Sequence, residues 1–188
     1  MAKSLEERIR VLEDAKEIKE LMAKYCYTMD AGDWEGVMSC YAKECSANFG
    51  HFGEGKTNTR AELEAFYRNR ILKSRFHGMI HRIYNPIIEV KDETHAIGRW
   101  VLCEPMVLVE TGRAAWLTCM YYVDFIKEDG KWLFKRVTDT DWRWVSDYDK
   151  GWAREPFTVP GSWFPEDIAR DEERWERVYK KLERSTRY

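Results

Sequence analysis

The chain has 188 residues, enough for one domain with an appendage and a substantial core without disulfide staples. Charged residues make up 34% and aromatic residues 14%, a globular composition whose interior is rich in flat rings. The net charge of −2, with both signs interspersed, supplies neither a basic footprint for nucleic acid nor a polybasic membrane patch. Cys26, Cys40, Cys45, Cys103 and Cys119 form an odd set with no Cys-x-x-Cys pair, which reads as reduced, mostly buried thiols. With no apolar signal core and no run long enough to cross a bilayer, a cytoplasmic protein is the expectation.

From the N-terminus, Leu5, Ile9 and Leu12 step at helical spacing, and Asp14 with Glu17 reads as a capping box opening a second helical segment. Ile18, Leu21, Met22, Tyr25 and Met29 mark the core-facing stripe of that segment. Asp30-Ala31-Gly32 stops it, and Asp33 caps a short helix holding Trp34, Val37, Met38 and Tyr41. Asp30 ends an apolar stripe at a helix C-terminus, where the macrodipole disfavours a carboxylate. It is therefore either a solvated turn aspartate or one held by a tertiary partner. Ala47 to Phe49 reads as a short apolar piece before a Gly-rich loop, and Arg60 to Leu72 as a third helix capped by Thr59.

Arg75 to Val90 reads as a strand. Alternation along it carries His77, Met79, His81, Ile83 and Asn85 to one face, and Ile80, Arg82, Tyr84 and Ile88 to the other. Two histidines facing one way are either a hydrogen-bonded structural pair or part of a site. After a turn at Lys91-Asp92-Glu93, the strand His95 to Val109 puts Trp100, Leu102, Glu104, Met106 and Leu108 on one face. A carboxylate on such a face is costly to bury unless paired or neutral, so Glu104 is either a rim residue beside Pro105 or a candidate for chemistry. Arg113 to Lys127 is the next strand, with Ala115, Leu117, Cys119, Tyr121 and Val123 opposed to Trp116, Thr118, Met120 and Tyr122. Asp129-Gly130 then signals a hairpin into a last strand from Lys131 to about Trp144. An antiparallel meander is the natural topology. The chain thus divides into a domain over 1–146 and an extension over 147–188. The extension is rich in turn formers and aromatics and ends in a charged helix expected to pack on the same subunit or a neighbour.

Four short motifs carry a resemblance: Lys24-Tyr25 with Asp30 and Trp34, Ile80-His81, Gly98-Arg99-Trp100, and Asp129-Gly130-Lys131-Trp132. Over about Leu5 to Trp144 the sequence resembles the SnoaL-like branch of the nuclear transport factor two-like superfamily. Within that branch it is similar to the bile acid 7α-dehydratases and, more distantly, to scytalone dehydratases and hexachlorocyclohexane dehydrochlorinases. The resemblance implies an α+β fold, a cone-shaped barrel of strongly curved, mixed but mostly antiparallel sheet wrapped on the N-terminal helices. It implies an Asp30–His81 dyad, with Tyr25, Glu104 and Arg143 as further catalytic residues and no cofactor. The same barrel hosts isomerases, cyclases and non-catalytic binders, so fold alone does not choose among them. Relatives are often trimers, and Trp116, Tyr122 and Ile88, read as outward residues, are large enough to want a neighbouring subunit as cover.

The residues themselves permit a definite chemistry. A neutral His81 can accept a proton, and a buried Asp30 bonded to its other ring nitrogen would fix the tautomer and stabilise the imidazolium. Nothing supplies an activated serine or cysteine, a phosphate-cradling loop or a three-ligand metal set, so proton transfer and electrostatics must lower the barrier. Removing a proton beside a carbonyl and expelling hydroxide suits such a site. The expectation is a dehydratase acting on a hydroxylated polycyclic or aromatic small molecule, with His77, Trp100, Trp116, Tyr121 and Trp142 as candidate substrate contacts. An isomerase or cyclase using the same base, or a binding module in which the dyad is a satisfied core pair, are the alternatives.

Overall fold

The computed structural model describes residues 4–49, 56–69, 76–77, 80–108 and 113–147; of these, the side chains of 76–77, 107–108, 113, 115 and 140–147 lie outside the description. The extension over 147–188 lies, after its first residue, outside the described residues. Among the described residues no helix is long and apolar enough to cross a membrane.

The first helix, α1 (Leu5–Asp30), is one continuous element, not two. Its cap is Ser4, whose side chain accepts from the Glu7 N–H while the Glu7 carboxylate accepts from the Ser4 N–H, a reciprocal box. Asp14, expected to be a cap, is instead buried in mid-helix. Its carboxylate accepts from Lys127 Nζ and Trp132 Nε1, each at 2.8 Å. The buried face of α1 runs through Ile18, Met22, Tyr25, Cys26 and Met29. The helix closes where Gly32 takes φ +69° and the Asp33 N–H reaches back 2.9 Å to the Thr28 carbonyl, a left-handed stop that glycine adopts without strain.

Asp33 then caps α2 (Trp34–Met38). This helix ends before Tyr41, which the sequence reading had placed on it. Tyr41 opens β1 (Tyr41–Asn48), and β1 pairs in parallel with the last strand. Its exposed Lys43-Glu44 step interrupts the alternation, so the segment does not look like a strand in sequence. β2 (Lys56–Thr57) lies antiparallel to β1, and α3 (Arg60–Phe66) follows, capped by Thr59 as expected.

Strands β3 (Phe76–His77), β4 (Arg82–Val90), β5 (His95–Leu108), β6 (Arg113–Glu128) and β7 (Lys131–Asp147) complete a seven-stranded sheet of order β2-β1-β7-β6-β5-β3, with β4 also on β5. The architecture is α+β, with one parallel pair, β1 on β7, in an otherwise antiparallel sheet. The β6–β7 turn is the Asp129-Gly130 hairpin, both residues at positive φ.

The sheet buries one face against α1. Ala96, Trp100, Leu102 and Met106 of β5 join Leu117, Cys119, Tyr121, Val123 and Phe125 of β6 and Phe134 of β7 in a single core with Ile18, Met22 and Tyr25. Burial pushes the Cys26 thiol up to about 12 and the Cys40 thiol to about 11, so both are inert, protonated packing groups.

Two departures concern the strand read as continuous from Arg75 to Val90. First, it is broken between β3 and β4, and the register slips by one residue across the break. His77 pairs with Val107, whereas the Ile80 N–H bonds the Pro105 carbonyl and Arg82 pairs with Cys103. Unbroken alternation from His77 to His81 therefore does not hold. Second, the register shifts again between Tyr84 and Ile87, at Asn85 (φ +51°) and Pro86. That bulge reverses the alternation, so Ile88 packs against the core, not outward as read from the sequence, and Ile87 is outward instead.

Candidate active site

His81 lies between β3 and β4, in the register position opposite Glu104 of β5. Residues opposite one another in an antiparallel pair share a face, so both side chains enter the buried side of the sheet. The last turn of α1 brings Asp30 to the same point. The Asp30 carboxylate accepts from the His81 backbone N–H at 3.0 and 3.1 Å and sits 2.6 Å from His81 Nδ1. A carboxylate that the helix dipole disfavours is thus held by two donors of one residue.

The acceptor on Nδ1 fixes the neutral ring as the Nδ1–H tautomer, which leaves the lone pair on Nε2. Nε2 faces Glu104, with Oε1 3.9 Å away, too long for a hydrogen bond but close for two charges. The His81 side chain is 3% exposed and that of Glu104 6%, whereas Asp30 keeps 23%. Burial favours the uncharged ring, but the Glu104 charge, with the hydrogen bond and charge of Asp30, outweighs it. The His81 pKa is raised above the ordinary histidine value.

Tyr25 stands beside this pair, its ring edge-to-face with His81 at 6.2 Å and with Tyr121 at 6.4 Å. Its hydroxyl is 3.1 Å from that of Tyr67, which is 2.8 Å from that of Tyr41. Burial pushes all three phenols well above their usual range, as it does Tyr121, so each is a neutral donor. The sequence reading missed Tyr41 and Tyr67. Tyr67, at the end of α3, continues the buried stripe of Leu63 and Phe66, a placement that by itself reads as core.

Of the remaining expected contacts, Tyr121 is buried on the site's face. Trp100 is buried there too, but spends its surface against Phe125 and over Gly98, where an added Cβ would come within 2.5 Å of the indole. Trp116 belongs to the opposite alternation of β6 and is half-buried on the other face. The side chains of His77, Trp142 and Arg143 lie outside the described residues. Asp139, never singled out in the sequence, is buried on β7 across from Tyr121.

A curved α+β sheet thus brings a carboxylate and a histidine together beneath the last turn of its first helix. The SnoaL-like domain model matches residues 10–138, and the chain belongs to that family. Its fold is shared with a candidate scytalone dehydratase from Novosphingobium aromaticivorans, at 19% identity over 82% of this chain and 97% of that one, TM-score 0.68. The type 3 hexachlorocyclohexane dehydrochlorinase from Novosphingobium barchaimii is 17% identical over 81% and 99%, TM-score 0.66. A nuclear transport factor 2-like superfamily protein from Salmonella enterica is 18% identical over 69% and 92%, TM-score 0.62.

Proposed function

We propose that the protein is a lyase that removes water from a hydroxylated carbonyl compound with a flat polycyclic or aromatic frame. The observation that carries this reading is the double grip of Asp30 on His81, which leaves Nε2 as an oriented base on the buried face. His81 Nε2 takes the proton beside the carbonyl, and the C–H electron pair forms an enolate whose oxygen accepts from the Tyr25 hydroxyl. The pair then returns to form the carbon–carbon double bond as the β C–O bond breaks. The proton held on His81 leaves with hydroxide as water, and the ring is neutral again. Asp30 through its hydrogen bond, and the Glu104 charge 3.9 Å from Nε2, both stabilise the intermediate imidazolium. The scheme calls for no cofactor. The dehydratase and dehydrochlorinase among the structural neighbours, both eliminations by name, support the reaction class.

The test is a mass-spectrometric product assay on hydroxylated steroids, bile acid thioesters and aromatic polyketides, wild type beside His81→Ala. A loss of one water that falls by roughly 10²-fold or more in the variant is expected. A product of unchanged mass would replace the lyase by an isomerase, and saturable binding without turnover would replace it by a binding module.

A further inference from the structure

The three hydroxyls of Tyr25, Tyr67 and Tyr41 hold more hydrogens than their two links use. Each phenol donates one hydrogen, and the links at 3.1 and 2.8 Å consume two. None of the three makes another side-chain hydrogen bond among the described residues, so one hydrogen is left for a fourth acceptor. If packing alone mattered, phenylalanine would serve at any of the three positions without that surplus.

The surroundings give the chain a direction. Among the described residues Tyr41 is ringed by Tyr25, Phe134 and Tyr67, with the protonated thiols of Cys40 and Cys45 nearby, an end with little to receive a hydrogen. Tyr25 is the end beside His81, and through it Glu104. We propose that Tyr41 and Tyr67 are positioning residues for Tyr25, a relay running Tyr41 to Tyr67 to Tyr25 that presents its one spare hydrogen to the oxyanion a carbonyl substrate develops. Successive hydrogen bonds in an apolar setting polarise one another, so the terminal O–H is a stronger donor than an isolated phenol.

The build of α3 fits the assignment. Tyr67 opens a π-helical turn over 67–69, a widened geometry that recurs at functional sites. At the other end of α3, Arg60 donates to the carbonyls of Met38, Tyr41 and Ala42, each at 2.9 Å. Arg60 at the start of α3 and Tyr67 just past its end therefore hold Tyr41 twice, by its main chain and by its hydroxyl. Phe134 wedges the remaining rings edge-on, 5.4 Å from Tyr25 and 5.2 Å from Tyr41.

This inference rests on the reading of Tyr25 as the oxyanion donor, and the test separates the two. Substituted phenols of graded acidity, flat sp² oxyanions when ionised, serve as probes, with dissociation constants measured by calorimetry at one pH where every probe is ionised. Tyr25→Phe is expected to weaken phenolate binding about tenfold or more, the worth of a hydrogen bond to a charged group. Tyr67→Phe, which keeps the ring, is expected to weaken it at least about twofold and to flatten its dependence on probe acidity. Tyr41→Phe should do the same to a smaller degree. Should Tyr67→Phe fail to fold, 3-fluorotyrosine at position 67, a stronger donor of the same shape, replaces it and is expected to tighten binding. A weakened Tyr25→Phe beside position-67 variants that bind as wild type overturns the relay and leaves the donor standing. Unchanged binding in Tyr25→Phe overturns both, while loss of turnover in His81→Ala would still uphold the lyase.

Discussion

Acid grips His81 on both sides, and the two acids act differently. Asp30 orients the ring through a bond, whereas Glu104 works on it through charge at 3.9 Å. Only the neutral ring is a base, so kcat/KM for elimination should rise with pH through the raised His81 pKa. Removing the Glu104 charge lowers that pKa. Glu104→Gln is therefore expected to move the acidic limb of the pH profile to lower pH, whatever happens to its height, and a limb that stays in place would contradict the electrostatic role. Asp30 and Glu104 were legible in the sequence because each breaks an apolar stripe, and a costly residue asks for a reason. Tyr41 and Tyr67 were not, because a phenol among apolar neighbours reads as core and its hydroxyl partner is set only by tertiary packing.

At the level of the elements, the same ambiguity of short signals decides what could be read. Asp14 three residues before Glu17 has the form of a helix start, yet α1 runs through it and uses the carboxylate to fasten both strands of the β6–β7 hairpin at Lys127 and Trp132. Asp14→Ala would leave a part-buried ammonium and a buried indole N–H without their acceptor. It is expected to cost about 2–4 kcal/mol, seen as a lower urea midpoint at unchanged slope. A shift below about 0.5 kcal/mol, the scatter of neutral surface changes, would show that the cluster contributes nothing. The strands β5, β6 and β7 were recognisable from strict alternation and the Asp-Gly turn. The slips before and within β4 were not, since a one-residue register change alters which face a side chain takes without altering the local preference for extended chain.

Over the whole molecule, the face of the sheet turned away from α1 keeps large apolar residues in solvent. Tyr84, Ile87, Ile97 and Tyr122 are 46%, 55%, 40% and 37% exposed, and the register sets Ile87 and Tyr122 on either side of Arg99. We propose that this face joins three copies of the chain. Sedimentation velocity at micromolar concentration should show a trimer, and Ile87→Glu combined with Tyr122→Glu should release monomers with an unchanged circular dichroism spectrum; a monomeric wild type would refute the assembly. The parallel seam between β1 and β7 carries a different consequence, one for biosynthesis. Tyr41 lies against Phe134 across that seam, so a nascent chain that has already made α1, β1 and Tyr25 cannot close them into a core until the segment around Val137 has left the ribosome. The core around the phenol chain is then closed late, and the growing polypeptide carries the unfinished edge of β1 while residues 49 to about 137 are made, the interval in which a holdase would find it.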